Sequence, residues 1–186
     1  MANDTQQNSG LYNQIKETYG RVLYSQTTHV KQYLRLEKHH KWIKIIQIVI
    51  SAISTGGFIG SIVTDNDMAT WVGGIFATIL LIISLYFKDF DIGARMSLHR
   101  KASDELWLVR EQYISLLTDF EMLSDSQSRG KRDELQEKTN EIYKNAPKTD
   151  SKSYEEAQKV LKNEEEQFFS PEELDKLLPK HLRSKE

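Results

Sequence analysis

The sequence predicts an all-α membrane protein: an antiparallel two-span transmembrane hairpin, extended by long coiled-coil-like cytosolic helices and followed by short C-terminal helices. Two uncharged apolar runs, 45–63 and 68–87, predict the spans. As helices, 45–63 and 69–87 are each about 28 Å long, close to the ~30 Å thickness of the hydrocarbon core. The T-D-N-D linker at 64–67 is so short that the spans must be antiparallel. A hairpin buried inside a soluble bundle is the alternative, but soluble helices this uniformly apolar are uncommon.

Charge and apolar spacing divide the chain into segments. The first ten residues are polar and predict disorder, and the two spans separate the charged helices from one another. The predicted segments are a disordered N-terminus (1–10), a cytosolic helix (11–42), transmembrane helix 1 (43–63), an external loop (64–68), transmembrane helix 2 (69–87), a long cytosolic helix (88–125) and a C-terminal helical extension (126–186).

The charged segment after the second span carries a helical seam. Mostly apolar residues alternate there in steps of three and four from His99 to Leu123, which is the pattern of a coiled-coil stripe. A looser stripe from Leu11 to Ile43 predicts one long helix that runs into the membrane. Because the spans are antiparallel, we expect the two stripes to pack against each other.

The C-terminal extension predicts short helices. The stretch 124–133 reads as a polar break, with helices expected near 133–145 and 153–168. The S-P-E-E stretch at 170–173 has the spacing of a capping box with proline in the first turn, so a last short helix should begin there. Its mixed charge predicts a peripheral packing or interaction element.

Composition narrows the classes of function. The 186 residues have a formal net charge of −2 and include no cysteine. The charge gives no reason to expect binding of genomic DNA, and thiol, disulfide and zinc–thiolate chemistry is excluded. The sequence has no phosphate-binding glycine loop, zinc-protease motif or nucleophile elbow. We therefore expect neither an enzyme nor a resident cofactor or metal.

The residues that flank the spans predict their orientation. Lysines and arginines are concentrated at 35–44 and 88–101, whereas the linker at 64–67 has aspartates and no lysine or arginine. By the positive-inside rule, both termini are predicted to be cytoplasmic. Trp42 and Trp71 fall at opposite interfaces, as in an aromatic belt.

The first span carries polar residues that a simple anchor does not need. They lie three or four residues apart, on one face of the helix. In one interpretation the first spans of an oligomer line a pore, with Phe58 as a hydrophobic constriction. In the other, the polar groups hydrogen-bond within the helix or to a neighbouring helix and serve packing. The candidate pore-lining residues are Gln47, Ser51, Ser54, Phe58 and Ser61.

Both spans and their linker carry further candidates. Small residues at four-residue spacing let helices approach closely. The predicted packing residues are Gly56, Gly60, Gly73 and Ala77. In a pore, Asp65 and Asp67 are expected to form acidic rings at the outer mouth, which would favour cations. Because one hairpin cannot enclose a pore, this interpretation requires a homo-oligomer, which we expect to be tetrameric or larger.

Cationic and aromatic residues recur on both cytosolic helices, away from the seams. An arginine beside a flat ring suits a nucleotide, since the guanidinium holds phosphate and the ring stacks on a base. The alternative is that the tryptophan packs and the arginines form a solvated face with nearby acids. The candidate ligand-binding residues are Tyr19, Arg21, Tyr24, Arg100, Lys101, Trp107 and Arg110.

The architecture and one stretch of sequence resemble a known family. A cytosolic helix, a tight two-span hairpin and a long helix with R-K-A-S-D-E-L-W-L-V-R-E-Q-Y-I-S-L-L-T-D-F at 100–120 are similar to the SLATT effector domain, the SMODS and SLOG-associating 2TM effector domain. The resemblance covers about residues 10–125, with the tail as a variable extension.

The resemblance implies a pore-forming effector of a bacterial anti-phage system in the inner (cytoplasmic) membrane. A regulatory nucleotide or oligonucleotide, made by a companion nucleotidyltransferase, is expected to control the pore. Its opening would depolarise the membrane and stop phage propagation by abortive infection. The stand-alone format is similar to the effector of Hailong-type systems. The alternative is a membrane-anchored coiled-coil scaffold that docks a cytosolic partner and forms no pore.

Overall fold

The computed structural model describes residues 2–64, 67–164, 167 and 169–183. The regular elements in these ranges are all helical, which confirms the predicted all-α class. They are α1 (Ala2–Thr64), α2 (Asp67–Asp89), α3 (Ile92–Thr118), a 3₁₀ turn (Phe120–Met122), α4 (Asp125–Asn145), α5 (Ser151–Lys162), α6 (Pro171–Leu177) and a second 3₁₀ turn (Lys180–Leu182).

Helix α1 joins the region outside the spans to the first span without a break. It has 63 residues and is therefore about 95 Å long. The chain has three prolines, all after residue 146, so nothing removes a backbone donor within this helix. The predicted segments 11–42 and 43–63 thus form one rod. The rod begins at Ala2, inside the stretch 1–10 for which the composition predicts disorder.

The outer parts of α1 and α2 form the predicted hairpin. Both helices are long and apolar enough to cross a membrane, and only 6% of each apolar window is buried in the single chain. Large apolar side chains are open to the surroundings, among them Ile62 (82% exposed) and Trp71 (74%). A hairpin inside a soluble bundle would bury these side chains, so their exposure favours lipid as the neighbour of both helices.

The two spans approach each other most closely at Gly57 and Gly73. A Cβ placed on Gly57 would lie 3.1 Å from the Ala69 carbonyl oxygen, and one on Gly73 would lie 3.1 Å from the Ser54 carbonyl oxygen. The Ser54 hydroxyl also donates a hydrogen bond to the Gly73 carbonyl, at 3.0 Å. These contacts give glycine and serine the packing role they have in many membrane helices.

The glycine of α1 that packs within the hairpin is not one of those expected from spacing. A Cβ on Gly56 or Gly60 would meet no atom within 4 Å. The correction is a rotation about the helix axis: Gly57 is one residue, or 100°, from Gly56. Gly73 lies in this contact, and Ala77 on the same helix is partly buried.

A capped break separates the second span from the long cytosolic helix. Helix α2 ends at Asp89 and α3 begins at Ile92. The Asp91 carboxylate accepts a hydrogen bond from the Ala94 amide at 2.8 Å, which is an N-cap. The predicted helix 88–125 is therefore shorter at both ends, because the cap starts it late and a 3₁₀ turn follows Thr118.

The cytosolic core lies between α1, α3 and α4. The seam of α3 is buried from His99 to Phe120, and Leu123 packs against its end. The stripe of α1 is buried from Leu11 to His29 and half-buried from there to Ile43. The residues of the main core are Leu11, Ile15, Val22, Leu106, Val109, Tyr113, Leu116, Phe120 and Leu135.

The C-terminal extension belongs to this bundle. Ser124 and Gln127 form a capping box at the start of α4. The stretch 124–133, which was predicted to be a polar break, therefore forms the N-cap and first turns of this helix. Helix α5 packs Val160 and Leu161 against Leu23 of α1. The predicted capping box at 170–173 is present at the start of α6.

A polar network fixes the start of α5 on α1. The Gln32 side-chain oxygen accepts hydrogen bonds from the Ser153 hydroxyl at 2.8 Å and the Asp150 amide at 3.2 Å. The Asp150 carboxylate caps α5 and also accepts a hydrogen bond from Arg35. Partial burial acts to raise the pKa of Asp150, but the hydrogen bonds from Arg35 and the Ser153 amide outweigh it and hold the pKa at about 2.

The hairpin contact predicts a contrast between neighbouring glycines. Gly57→Ala or Gly73→Ala should lower the thermal unfolding midpoint of the full chain in detergent, because the methyl group meets backbone atoms that move only if the helices separate. Such overpacking costs about 1–3 kcal/mol. Gly56→Ala is the matched control and should leave the midpoint unchanged or raise it, since alanine favours helix by up to about 1 kcal/mol. Equal effects at Gly56 and Gly57 would contradict this packing.

Candidate pore-lining and ligand-binding sites

A groove with polar and apolar walls runs along the half of the hairpin that is nearer to the helical bundle. It has a volume of about 810 Å³ and opens on the surface that a membrane would cover. The polar side chains that line it are Lys44, Gln47, Ser51 and Thr55 of α1 and Ser84 of α2. We call it the span groove. Lys44 lies at its cytosolic end, where its long chain can reach the headgroups.

The span groove contains only part of the predicted pore-lining set. Gln47 and Ser51 line it, whereas Ser54 is buried against Gly73 of the second span. The Phe58 ring also lies beside Gly73, and the Ser61 hydroxyl donates to the Phe58 carbonyl at 2.8 Å. At 100° per residue, a step of three residues leaves two side chains about 60° apart and a step of four leaves them about 40° apart, so residues that share a stripe in sequence divide between two neighbouring directions.

Thr55 and Ser84 are groove residues that the spacing argument missed. The Thr55 hydroxyl donates a hydrogen bond to the Ser51 carbonyl at 2.9 Å, within the helix. The Thr55 oxygen can still accept a hydrogen bond from the groove. Ser84 comes from the second span, which was expected only to pack. The sequence did contain a signal for this residue, because Ser84 is a polar side chain within the second apolar run.

The predicted outer mouth is described only in part. Asp67 is exposed and is the first residue of α2, where an acidic side chain complements the helix dipole. Asp65 lies outside the described residues. The acidic ring therefore stays a prediction.

The candidate ligand residues of α3 do not form one site. Arg100 and Lys101 are exposed and pair along the helix with Asp104 at 3.9 Å and Glu105 at 3.8 Å. The Arg110 guanidinium donates to Gln167, whose amide donates to Thr27 at 3.1 Å. Trp107 is 47% exposed. Arg110 thus ties the C-terminal segment to α1, and its role in the fold accounts for its position.

The candidate ligand residues of α1 lie nearer to a concave surface. Arg21 and Tyr24 line a groove of about 610 Å³ together with Tyr143 of α4 and Tyr154 of α5. The rings of Tyr24 and Tyr154 are 6.0 Å apart, and the buried Tyr24 hydroxyl has no hydrogen-bond partner among the described residues. We call this the tyrosine groove. Tyr19 lies behind it, packed between the two apolar clusters.

The sequence matches the SMODS and SLOG-associating 2TM effector domain family 4 over residues 11–173. The chain belongs to this family, SLATT_4. Searches of curated proteins and of solved structures find no match. The match confirms the resemblance and extends past residue 125, so α4 and α5 are part of the family domain and not a variable extension.

Membership makes this SLATT_4 chain a two-span membrane effector of anti-phage systems. SLATT_4 is an effector domain family and is not a known enzyme family. Within the described ranges, no three His, Asp or Glu side chains converge in a way that would hold a metal ion.

A buried histidine pair joins α1 to α3 in the SLATT_4 bundle. The Nδ1 atoms of His29 and His99 are 3.0 Å apart, so one ring must donate to the other. Burial, and then repulsion from His99, lowers the pKa of His29 to about 4. Burial and then Arg95 lower the pKa of His99, against an opposing effect of Asp150. Both histidines belong to the predicted seams, but sequence spacing does not show that they meet.

The histidine pair predicts an acid-sensitive bundle. Because the folded pKa values are lowered, the unfolded chain binds more protons below pH 6.5, and stability should fall as the pH drops from about 6.5 towards 4. One proton corresponds to about 1.4 kcal/mol per pH unit. His99→Gln keeps a hydrogen-bonding group but does not titrate, so unfolding midpoints measured across this range should depend less on pH. The exposed His181→Gln is the control, and the same pH slope in both variants would contradict the assignment.

Proposed function

We propose that this chain is the subunit of a homo-oligomeric ion channel in the bacterial inner membrane. A nucleotide or oligonucleotide signal from a companion nucleotidyltransferase controls the channel. Opening of the channel depolarises the membrane. The infected cell then dies before the phage can propagate, which is abortive infection. The observation that carries this proposal is the span groove, because it places polar side chains where a single chain would face lipid.

The groove is unfavourable for an isolated hairpin. Hydrocarbon offers no hydrogen-bond partner, and burial of an unsatisfied amide or hydroxyl in it costs up to several kcal/mol. Gln47 has two donors and an acceptor, and Ser51 is exposed on the same face. Water or another protein chain must therefore cover this face. In an oligomer whose grooves converge, water fills the shared space and the channel is wetted from Lys44 to Thr55.

The ends of the hairpin support a channel that favours cations. The cytosolic parts of α1 and α3 pack together, so both termini lie on the same side of the spans. The basic residues around the spans are on that side, which assigns it to the cytoplasm by the positive-inside rule. Asp67 then lies at the outer end, where a ring of carboxylates would attract cations.

The tyrosine groove is the better of the two candidate ligand sites. It brings Arg21 beside the Tyr24 and Tyr154 rings, which offer two stacking surfaces. The Arg21 guanidinium pairs with Glu17 at 3.0 Å and would exchange that carboxylate for a phosphate. A ligand there touches α1, the helix that carries Gln47 and Ser51. It changes the open fraction only by its difference in affinity between the closed and open states. About 5.5 kcal/mol of difference takes the population from 1:99 to 99:1.

One observation favours the alternative of a membrane-anchored scaffold. Ser54, a member of the predicted pore stripe, uses its hydroxyl to join the two spans. If Gln47 and Ser51 similarly form hydrogen bonds with a neighbouring chain, that chain fills the span groove. The assembly then has no water-filled path and conducts no ions. The two functions therefore differ in what covers the span groove.

The channel proposal predicts that apolar substitution of the groove abolishes conduction. Gln47→Leu with Ser51→Leu should eliminate depolarisation, followed with a voltage-sensitive dye in cells that express the chain with its signalling enzyme. The reason is that an apolar constriction dewets. The matched control is Thr78→Leu, an exposed position of α2 outside the groove, which should depolarise like wild type. An assembled double variant that still depolarises would reject the groove as the conduction path.

The ligand proposal predicts a difference between two pairs of substitutions. Arg21→Gln with Tyr154→Ala should weaken binding of short labelled ribo- or deoxyribo-oligonucleotides at least tenfold, because a stacked base contributes about 1–3 kcal/mol. Arg100→Gln with Trp107→Ala is the matched control, since it also removes one cation and one ring. Fluorescence anisotropy at two salt concentrations measures both. Weaker binding only in the control pair would move the site to α3.

A further inference from the structure

A basic cleft lies where the cytosolic bundle meets the membrane. It has a volume of about 620 Å³ and lies between α1 and the first turns of α5. Its lining residues are Lys31, Leu34, Arg35, Lys38, His39 and Trp42 of α1 with Lys152 and Glu156 of α5. We call it the interfacial cleft. It shares no lining residue with the span groove or the tyrosine groove.

The cleft carries an excess of positive charge. Among the described residues that line it, Lys31, Arg35, Lys38 and Lys152 are cationic and Glu156 is the one carboxylate. Lys31 and Arg35 already have interaction partners, so the excess charge is that of Lys38 and Lys152. Arg35 is largely buried and is held by Asp150 and, at 3.9 Å, by Glu156. Lys38 and Lys152 are exposed and approach the cleft from two different helices. An anion in the cleft would therefore be held from both sides, in the way that converging lysines hold phosphate.

The position of the cleft along α1 matches the depth of lipid headgroups. Trp42 is 57% exposed and lies just before the uncharged run that begins at Ile45. Lys38 is one turn of helix away, about 6 Å towards the cytosol. The headgroup layer on each side of a bilayer is about 5–8 Å thick. Trp42 thus lies at the interface, where tryptophan is enriched, and Lys38 and His39 lie at the level of the phosphates.

We propose that the interfacial cleft binds the headgroup of an anionic phospholipid of the inner leaflet. Lys38, His39 and Lys152 hold the phosphate, and Trp42 packs beside the glycerol and the start of an acyl chain. The exposed apolar side chains favour a lipid over inorganic phosphate, since Leu34 (45% exposed) and Trp42 add nothing to the binding of a free anion. Near the membrane each lysine strengthens attraction to anionic lipid about fivefold.

The bound lipid also connects two parts of the fold. Lys152 is in the first turn of α5, whose start is fixed to α1 by Gln32 and Asp150. One headgroup that contacts Lys38 and Lys152 joins α5 to the point where α1 enters the membrane. This site depends only on the chain's insertion in the membrane and is independent of whether the span groove conducts ions.

The test uses the purified full chain in a neutral detergent, titrated with a short-chain phosphatidylglycerol. Phosphatidylcholine of the same chain length and inorganic phosphate are separate titrations. Thermal unfolding and intrinsic tryptophan fluorescence are the two readouts. We expect phosphatidylglycerol alone to raise the unfolding midpoint of the wild type. Lys38→Gln with Lys152→Gln should weaken its binding about twenty-five-fold, because each of the two lysines contributes about fivefold.

Two further variants make the result decisive. Lys16→Gln with Lys148→Gln removes the same charge outside the cleft and should bind like wild type. Lys38→Arg with Lys152→Arg keeps the charge and should retain binding, which separates a charge contact from a folding defect. Unchanged binding by the Lys38→Gln, Lys152→Gln variant would overturn the proposal. An equal midpoint shift with inorganic phosphate would also overturn it, because the cleft would then be a site for soluble phosphate.

Discussion

The continuity of α1 is the constraint on which the rest of the structure depends. One helix of 63 residues contributes the bundle seam, the wall of the tyrosine groove, the cleft at the interface and the polar face inside the membrane. Each residue advances the helix by 100° and 1.5 Å, so the direction of Gln47 is set by how the stripe from Leu11 to His29 packs in the cytosol. A change of packing in the bundle therefore turns the polar face in the membrane.

The second half of the hairpin is built differently. Between α2 and α3 the helix stops at Asp89 and restarts behind the Asp91 cap. The Asp91 carboxylate satisfies the Ala94 amide of the first turn of α3 without any group from α2, so a change of the angle between α2 and α3 would not cost that hydrogen bond. The Gly57–Gly73 contact makes α2 follow α1 in the membrane. A movement of α1 relative to α3 would accordingly be accommodated at residues 90–91, where the chain is non-helical.

The sequence predicted the parts of this fold that rest on periodicity. Both spans follow from uninterrupted apolar runs, which lipid requires, and the seam of α3 follows from apolar spacing, which a coiled-coil interface requires. Spacing could not choose Gly57 over Gly56, since the choice depends on the angle at which α2 crosses α1. It also could not show that Gln32 meets Asp150 or that His29 meets His99, because each pair is far apart in the chain and depends on the tertiary packing. Asp91 was a local signal for the capped break. It was not recognised, because the apolar pattern continues on both sides of it.

The polar residues of the first span show why a stripe in sequence does not by itself define a pore. Ser54 is satisfied inside the hairpin, so it gives no information about what lies outside it. Gln47 and Ser51 face outward, and in hydrocarbon their groups need a partner. In the proposed channel and in the alternative scaffold alike, another protein chain would lie at this face. What distinguishes them is the partner of Gln47: a side chain of a neighbouring subunit closes the groove, and water opens it to ions.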